Sequence, residues 1–275
     1  MRKNATQEKN ITNRRGFILG TGMVATGLAM LRPAAVLGME PLPAVGSWPW
    51  PAAGLDPVAT AGGSTAGLAG CAVTSFGLML NQLKEALPGS VWEGIPAQLT
   101  SAFNGGGPYG SDCGGLQGPL LIMTLVGAPM TLKQEFYKWY CDFPFPSTEW
   151  DLLYPMANTV QTTASSPLCH ESRALWEGVF LRDVYPSTGV YDGTRCAKLT
   201  RDCTKKAVDL INAFKLAGYS GVWAPDSNYK SCFDCHTALY ANKLPGGIHS
   251  GKEDCTRCHT VPRSHLLKNP RKGMK

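Results

Sequence analysis

Apolar positions along the chain recur at helical rather than strand spacing. Leu68, Ala72, Phe76, Leu80, Leu83 and Leu87 fall on one face before Pro88-Gly89, which predicts a helix over 64–87. The strongly apolar stretch 116–126 reads as a buried helix. Residues 131–141 read as a short aromatic-rich helix, ended by Pro144 and Pro146. A further helix is expected near 171–180. Another begins at a Thr194 cap, runs to Leu216 with Leu199, Ala207, Leu210, Ile211 and Phe214 on one side, and stops at Gly218. No alternating pattern of strand length occurs. The expected fold class is therefore mainly α, with loops at 104–111 and 142–168.

The flanks of this helical region differ from it. Residues 39–63 are rich in Pro, Gly and Ala and read as an extended arm, with Trp48 and Trp50 expected to pack on something. From residue 220 onward there are few apolar residues and little periodicity, so this segment cannot build a core unaided. The N-terminus reads Asn13-Arg14-Arg15-Gly16-Phe17, with a polar, basic stretch before it and 15 mostly apolar residues from Phe17 to Leu31. Such a run is short for a membrane span, and the pattern resembles a twin-arginine export signal with cleavage after Gly38. The expected organisation is 1–38 export signal, 39–63 arm, 64–219 helical domain and 220–275 C-terminal domain. It places the protein in the periplasm with no membrane span after cleavage.

Charge sharpens this division. The 275 residues carry a formal net +6, yet the chain after residue 38 has 20 basic and 19 acidic side chains. That near-balance excludes a nucleic-acid surface over the whole protein. Residues 242–275 hold eight basic and two acidic residues, while 39–241 hold 12 and 17. The two regions differ in sign and are expected to do different work.

The tail contains Cys232-Phe233-Asp234-Cys235-His236 and Cys255-Thr256-Arg257-Cys258-His259. Both are C-x-x-C-H, the attachment pattern of c-type haem. Two thiols form thioethers with one porphyrin, and the next residue, His, ligates the iron as the proximal ligand. The four cysteines also have the spacing of a zinc ribbon, or could form two disulfides. Neither alternative uses the histidines. Five histidines less His236 and His259 leave His249 and His265, flanking the second motif, as distal ligands, with His170 in reserve. Two covalent bis-histidine haems would carry electrons without an open iron site. They would also supply the apolar mass that the tail lacks.

Cys71, Cys113, Cys141, Cys169, Cys196 and Cys203 remain. In an oxidising compartment they could form up to three disulfides. Their contexts differ from loop staples: Cys71 is expected mid-helix, and Cys113 opens a helix after a glycine-rich loop. There, free N–H groups favour a thiolate. Gly105, Gly107 and Gly110 also spell G-x-G-x-x-G, but no preceding strand supports a dinucleotide site.

Gly70-Cys71-Ala72 and Cys113-Gly114-Gly115-Leu116-Gln117-Gly118 resemble the C-GCAxxG-C-C family of redox-active proteins, with Gly115 where Ala is usual. Followed by two C-x-x-C-H motifs, the pattern over about residues 60–265 resembles the split-Soret cytochromes c. That resemblance implies a helical iron–sulfur-type domain and a small, haem-organised C-terminal domain with little regular structure. It further implies a homodimer with haems near the interface, one distal histidine supplied across it, and a [2Fe–2S] cluster. The implied cluster ligands are Cys71, Cys113, Cys169 and Cys196, with Cys203 or Cys141 in reserve. The function so implied is periplasmic electron transfer by a dihaem cytochrome c. No Ser/His/Asp grouping or nucleotide motif is present, so an enzyme is not expected. The alternative is a reductase with an open haem or cluster substrate site.

Overall fold

The computed structural model describes residues 42–154 and 160–224. The chain divides into two compact units, Met1–Pro43 and Ala44–Lys275. Of the first, Leu42 and Pro43 alone are described. The second contains helices α1 (Pro57–Gly62), α2 (Cys71–Ala86), α3 (Gly114–Leu125), α4 (Met130–Asp142), α5 (Cys169–Asp183), α6 (Tyr185–Thr188) and α7 (Arg195–Ala217). Turns of 3-10 helix occupy Val91–Gly94, Ala97–Tyr109 and Asp151–Leu153. Among the described residues the only strand-like pairings are two isolated bridges, Asp112 with Leu168 and Phe145 with Thr162. The fold is mainly α, as the spacing predicts.

Helix α2 starts at Cys71, seven residues later than the 64–87 pattern predicts, so Cys71 lies at a helix N-terminus rather than mid-helix. The cause is backbone geometry. Gly67 and Gly70 adopt φ of +75° and +93°, conformations a right-handed helix excludes. Gly70 has no side chain to cap the helix, and Asn104 does so from a distance: its Oδ1 accepts the amides of Ala72 and Val73 at 2.9 and 3.3 Å.

Phe76, Met79, Leu80 and Leu83 of α2 are fully buried against Leu116, Ile122 and Met123 of α3 and against Leu199, Ala207 and Ile211 of α7. Each large side chain so buried contributes roughly 1.5–3 kcal/mol by removal from water. Glycines bring α2 and α3 unusually close. A Cβ on Gly118 would lie 2.3 Å from Ser75 Oγ and 2.7 Å from the Ala72 carbonyl. A Cβ on Gly114, one turn earlier, would lie 2.5 Å from Cys71 Sγ. Backbone contact along this stripe sets Cys71 directly against the start of α3.

The arm is anchored on this core. Trp48 meets Trp92 edge-on at 4.8 Å, Trp92 Nε1 donates to the Pro49 carbonyl, and Trp50 Nε1 donates to Asn212 of α7. Trp176 and Phe180 of α5 form a separate small cluster with Val184. The other side of α7 buries charges that are matched. Lys198 pairs with Asp151 at 2.9 Å, and Asp202 accepts from Trp150 Nε1 and the Ser147 amide. Arg201 donates to the carbonyls of Ala61 and Gly63 and to Tyr154 Oη. These bonds fasten the end of α1 and the 147–154 segment to α7.

Candidate metal centre

Cysteines stand at the beginnings of four helices. Cys71 is the first residue of α2, Cys113 the N-cap of α3, Cys169 the first residue of α5 and Cys196 the second residue of α7. Helix N-termini present unpaired N–H groups and a partial positive charge, which favour thiolate sulfur. Long-range backbone bonds hold two of these starts together. The Cys113 amide donates to Pro167 O at 2.9 Å, and the Cys169 amide donates to Ser111 O at 2.7 Å.

The glycine-rich loop closes the group from one side. Gly105, Gly106 and Gly107 all have positive φ, and the Gly105 amide donates to Cys71 Sγ at 3.2 Å. A Cβ on Gly106 would stand 2.9 Å from Cys169 Cβ. A Cβ on Gly115 would stand 3.6 Å from Cys113 Sγ and 3.4 Å from Cys203 Sγ. These sulfurs therefore lie against a cradle of glycine backbone at residues 105–107 and 114–115.

Five thiols influence one another. Burial pushes the Cys113 thiol up to about 12, with Cys71 and Cys169 as neighbours adding to the rise and the hydroxyl of Tyr140 opposing it. Burial raises Cys203 as well, reinforced by Cys113, Asp202 and Cys71. Cys169 is raised by burial and by its neighbours Cys196 and Cys71, while Arg195 and Arg173 oppose the rise. Burial and the neighbouring sulfurs thus disfavour the thiolate form of Cys113, Cys169 and Cys203. A metal must displace the thiol protons, and only its positive charge makes several adjacent thiolates tolerable.

The reserve cysteines separate clearly. Cys203 is fully buried and beside Cys113, whereas Cys141 lies at the C-terminal end of α4, where it acts on Tyr137. Cys196 is exposed, and Arg195 Nη1 approaches its sulfur at 3.7 Å. No disulfide forms among the described cysteines. Among the described residues no three His, Cys, Asp or Glu side chains draw in to the spacing of a single metal ion. One ion requires all its sulfurs within about 2.3 Å of a point. Ligands to a cluster surround several irons and stand farther apart. The soft donor set and the glycine cradle fit such a cluster.

Residues absent from the motif complete the surroundings. Two phenols one turn apart on α4 flank the start of α3. Tyr137 Oη donates to Asp112 at 2.7 Å, and Tyr140 is buried beside Cys113. His170 follows Cys169, and its Nδ1–H donates to Gly110 O at 2.8 Å, leaving Nε2 as the acceptor nitrogen. The haem-directed residues Cys232, Cys235, His236, His249, Cys255, Cys258, His259 and His265 lie outside the described residues. Among the described residues no helix is long and apolar enough to cross a membrane.

No protein-family model matches the chain. Split-Soret cytochrome c of Desulfovibrio desulfuricans (strain ATCC 27774) is 26% identical over 201 residues, covering 70% of this chain and 69% of that protein. A solved structure concerned with a novel iron centre in the split-Soret cytochrome c of the same strain superposes with a TM-score of 0.63. That alignment is 23% identical and covers 78% of this chain and 92% of the other. The chain is similar to split-Soret cytochrome c and shares its mainly helical fold.

Proposed function

We propose that this chain is an exported electron-transfer protein, a dihaem c-type cytochrome whose helical domain holds an iron–sulfur cluster. The observation that carries the cluster half is the gathering of Cys71, Cys113 and Cys169 at three helix starts around the Gly105–Gly115 backbone, with Cys196, at a fourth helix start, neighbouring Cys169. These four are the ligands, with Cys203, beside Cys113, or Cys141 in reserve. Bound haem and cluster supply one-electron redox centres. The chain's own residues set their surroundings. The Gly105 amide donates to Cys71 Sγ, Arg195 places positive charge beside Cys196, and Cys113 sits out of water. Exposure of Cys196 leaves one edge of the site near the surface, where electrons can leave or enter.

The cytochrome half rests on the two C-x-x-C-H motifs and on the similarity to split-Soret cytochrome c. Cys232, Cys235, Cys255 and Cys258 attach two haems, and His236 and His259 ligate their irons. His249 and His265 complete the coordination, with His170 as the reserve. The chain pairs as a homodimer with haems near the interface, in the periplasm after twin-arginine export and removal of 1–38. The basic tail at 242–275 docks an acidic redox partner. Residues 39–63 are its arm, 64–219 the cluster domain and 220–275 the haem domain.

The deciding measurement is iron, labile sulfide and haem per chain on protein matured in an exporting host and purified without oxygen. Two haems, two additional irons and two sulfides are expected. A colourless chain carrying zinc overturns the reading. Two haems without sulfide remove its cluster half.

A further inference from the structure

Among the described residues Tyr140 is the one fully buried phenol, and it neighbours the Cys113 thiol. Its side chain is 0% exposed, and its ring is wedged against Phe145 at a centroid distance of 4.8 Å. Its Oη is buried with no completed hydrogen bond. Its polar neighbours are the Cys113 thiol and Ser172, and Cys203 lies close enough to act on it. Ser172 Oγ and its carbonyl both accept from Arg195 Nη2, at 2.6 and 3.1 Å, so what Ser172 can turn toward Tyr140 Oη is its own O–H, and the phenol proton still needs an acceptor. Leaving a buried hydroxyl unpaired is costly, and a phenol O–H rotates freely to find an acceptor. Neutral Cys113 is a poor acceptor, whereas a metal-bound thiolate is a good one.

We infer that Tyr140 is a positioning residue for the cluster, donating its O–H to the sulfur of Cys113 and setting the reduction potential. The inference rests on the cluster reading above and deepens it. Reduction adds one electron, and the ligand sulfurs share the added negative charge. A hydrogen bond to Cys113 Sγ stabilises that charge more in the reduced state than in the oxidised state. Removing the donor therefore makes reduction harder. Tyr137 cannot take this part, because its hydroxyl is committed to Asp112.

The test is an EPR-monitored dithionite titration of the full chain and of Tyr140→Phe. The control is Tyr219→Phe, which loses a phenol bonded at 2.7 Å to Glu135. With iron and sulfide retained, Tyr140→Phe should shift the reduction equilibrium about tenfold against reduction, about 59 mV for a one-electron couple. Its EPR signal should change as well, while Tyr219→Phe matches the unaltered chain. Identical potentials and spectra in all three proteins overturn the inference and leave the cluster reading intact. Absence of iron and sulfide from the unaltered chain overturns the cluster reading itself and this inference with it. Where Tyr140→Phe fails to assemble, Tyr140→3-fluorotyrosine keeps the shape with a stronger donor and should raise the potential; no rise overturns the inference.

Discussion

Asn104 caps the helix that Cys71 begins: its Oδ1 accepts the Ala72 amide at 2.9 Å across 32 residues of chain, while its Nδ2 donates to Ala69 O at 3.2 Å. A loop side chain thus does the work that Gly70 cannot. Gly70 must stay bare for this, because a Cβ there would lie 2.2 Å from Asn104 Nδ2. Asn104→Ala is expected to cost about 1 kcal/mol, the usual value of a helix cap. Gly70→Ala is expected to cost more, because it adds positive-φ strain to the lost cap. Urea unfolding measures both, and lower bound iron is expected in step. Unchanged midpoints would refute the capping role.

Adjacent glycines of α3 should respond differently to the same change. At Gly114 a Cβ meets Cys71 Sγ at 2.5 Å and backbone at Phe103 O and Ala72 N, 2.7 and 3.0 Å away. Backbone cannot yield, so Gly114→Ala is expected to destabilise by ~1–3 kcal/mol and to displace Cys71. At Gly115 the tightest contact is the tip of Leu199, 2.9 Å away, which can rotate. Gly115→Ala should keep its iron and near-normal stability. Equal losses in the two variants would count against the packing argument.

Cysteine replacement should divide the six thiols. Cys71→Ser, Cys113→Ser, Cys169→Ser and Cys196→Ser are each expected to lower iron and labile sulfide severalfold. Cys141→Ser should leave both unchanged, because Cys141 lies at the C-terminal end of α4 and not at a helix start. Haem content should be unaffected throughout. Retention of iron in Cys113→Ser together with its loss in Cys203→Ser would exchange their roles.

The small cluster on α5 should show a modest acid dependence. Glu177 accepts from Tyr191 Oη at 2.6 Å and Arg173 Nε at 2.8 Å, and the tyrosine bond first, then the guanidinium, holds its carboxyl below the ordinary 4.5. A depressed carboxylate stabilises the fold above its unfolded value, and that contribution fades as the pH falls below about 4.5 through the folded value. Water screens this exposed pair, so the effect should stay below ~1 kcal/mol. Stability measured by Trp fluorescence against pH should fall over this range, and Tyr191→Phe should flatten the fall.

A buried carboxylate on α7 supplies a sharper test. Asp202 is raised by burial although Ser147 and Trp150 donate to it. Its two oxygens accept separately, from Trp150 Nε1 at 2.8 Å and the Ser147 amide at 2.9 Å. Asp202→Asn has one acceptor oxygen and must face a donor with its amide, so a loss of ~1–3 kcal/mol is expected in urea unfolding. No loss would mean that the 147–150 loop is held by packing instead.

The position of Cys71 illustrates where sequence reading stops. Helical periodicity places Phe76, Leu80 and Leu83 on the buried face correctly, because burial of a face depends on local spacing. The same periodicity extends the helix back to residue 64. Only the left-handed backbone at Gly67 and Gly70, and a cap from distant Asn104, end it at Cys71. Likewise nothing in the pattern marks Lys198, Arg201 and Asp202 as buried, since their partners lie in segments 47–140 residues away.

The sequence by itself determined the helical class, the extents of α3, α4 and α7 to within a few residues, and a set of six cysteines set apart from the two C-x-x-C-H motifs. These are local properties: side-chain spacing, breakers and covalent pattern. Tertiary structure decided which thiols are neighbours, setting Cys203 beside Cys113. It also decided that two bare glycines admit Cys71 to the start of α3, and that Tyr140 faces Cys113. Helix packing sets those distances, and packing depends on side chains far apart in the chain meeting in space, which no local spacing encodes.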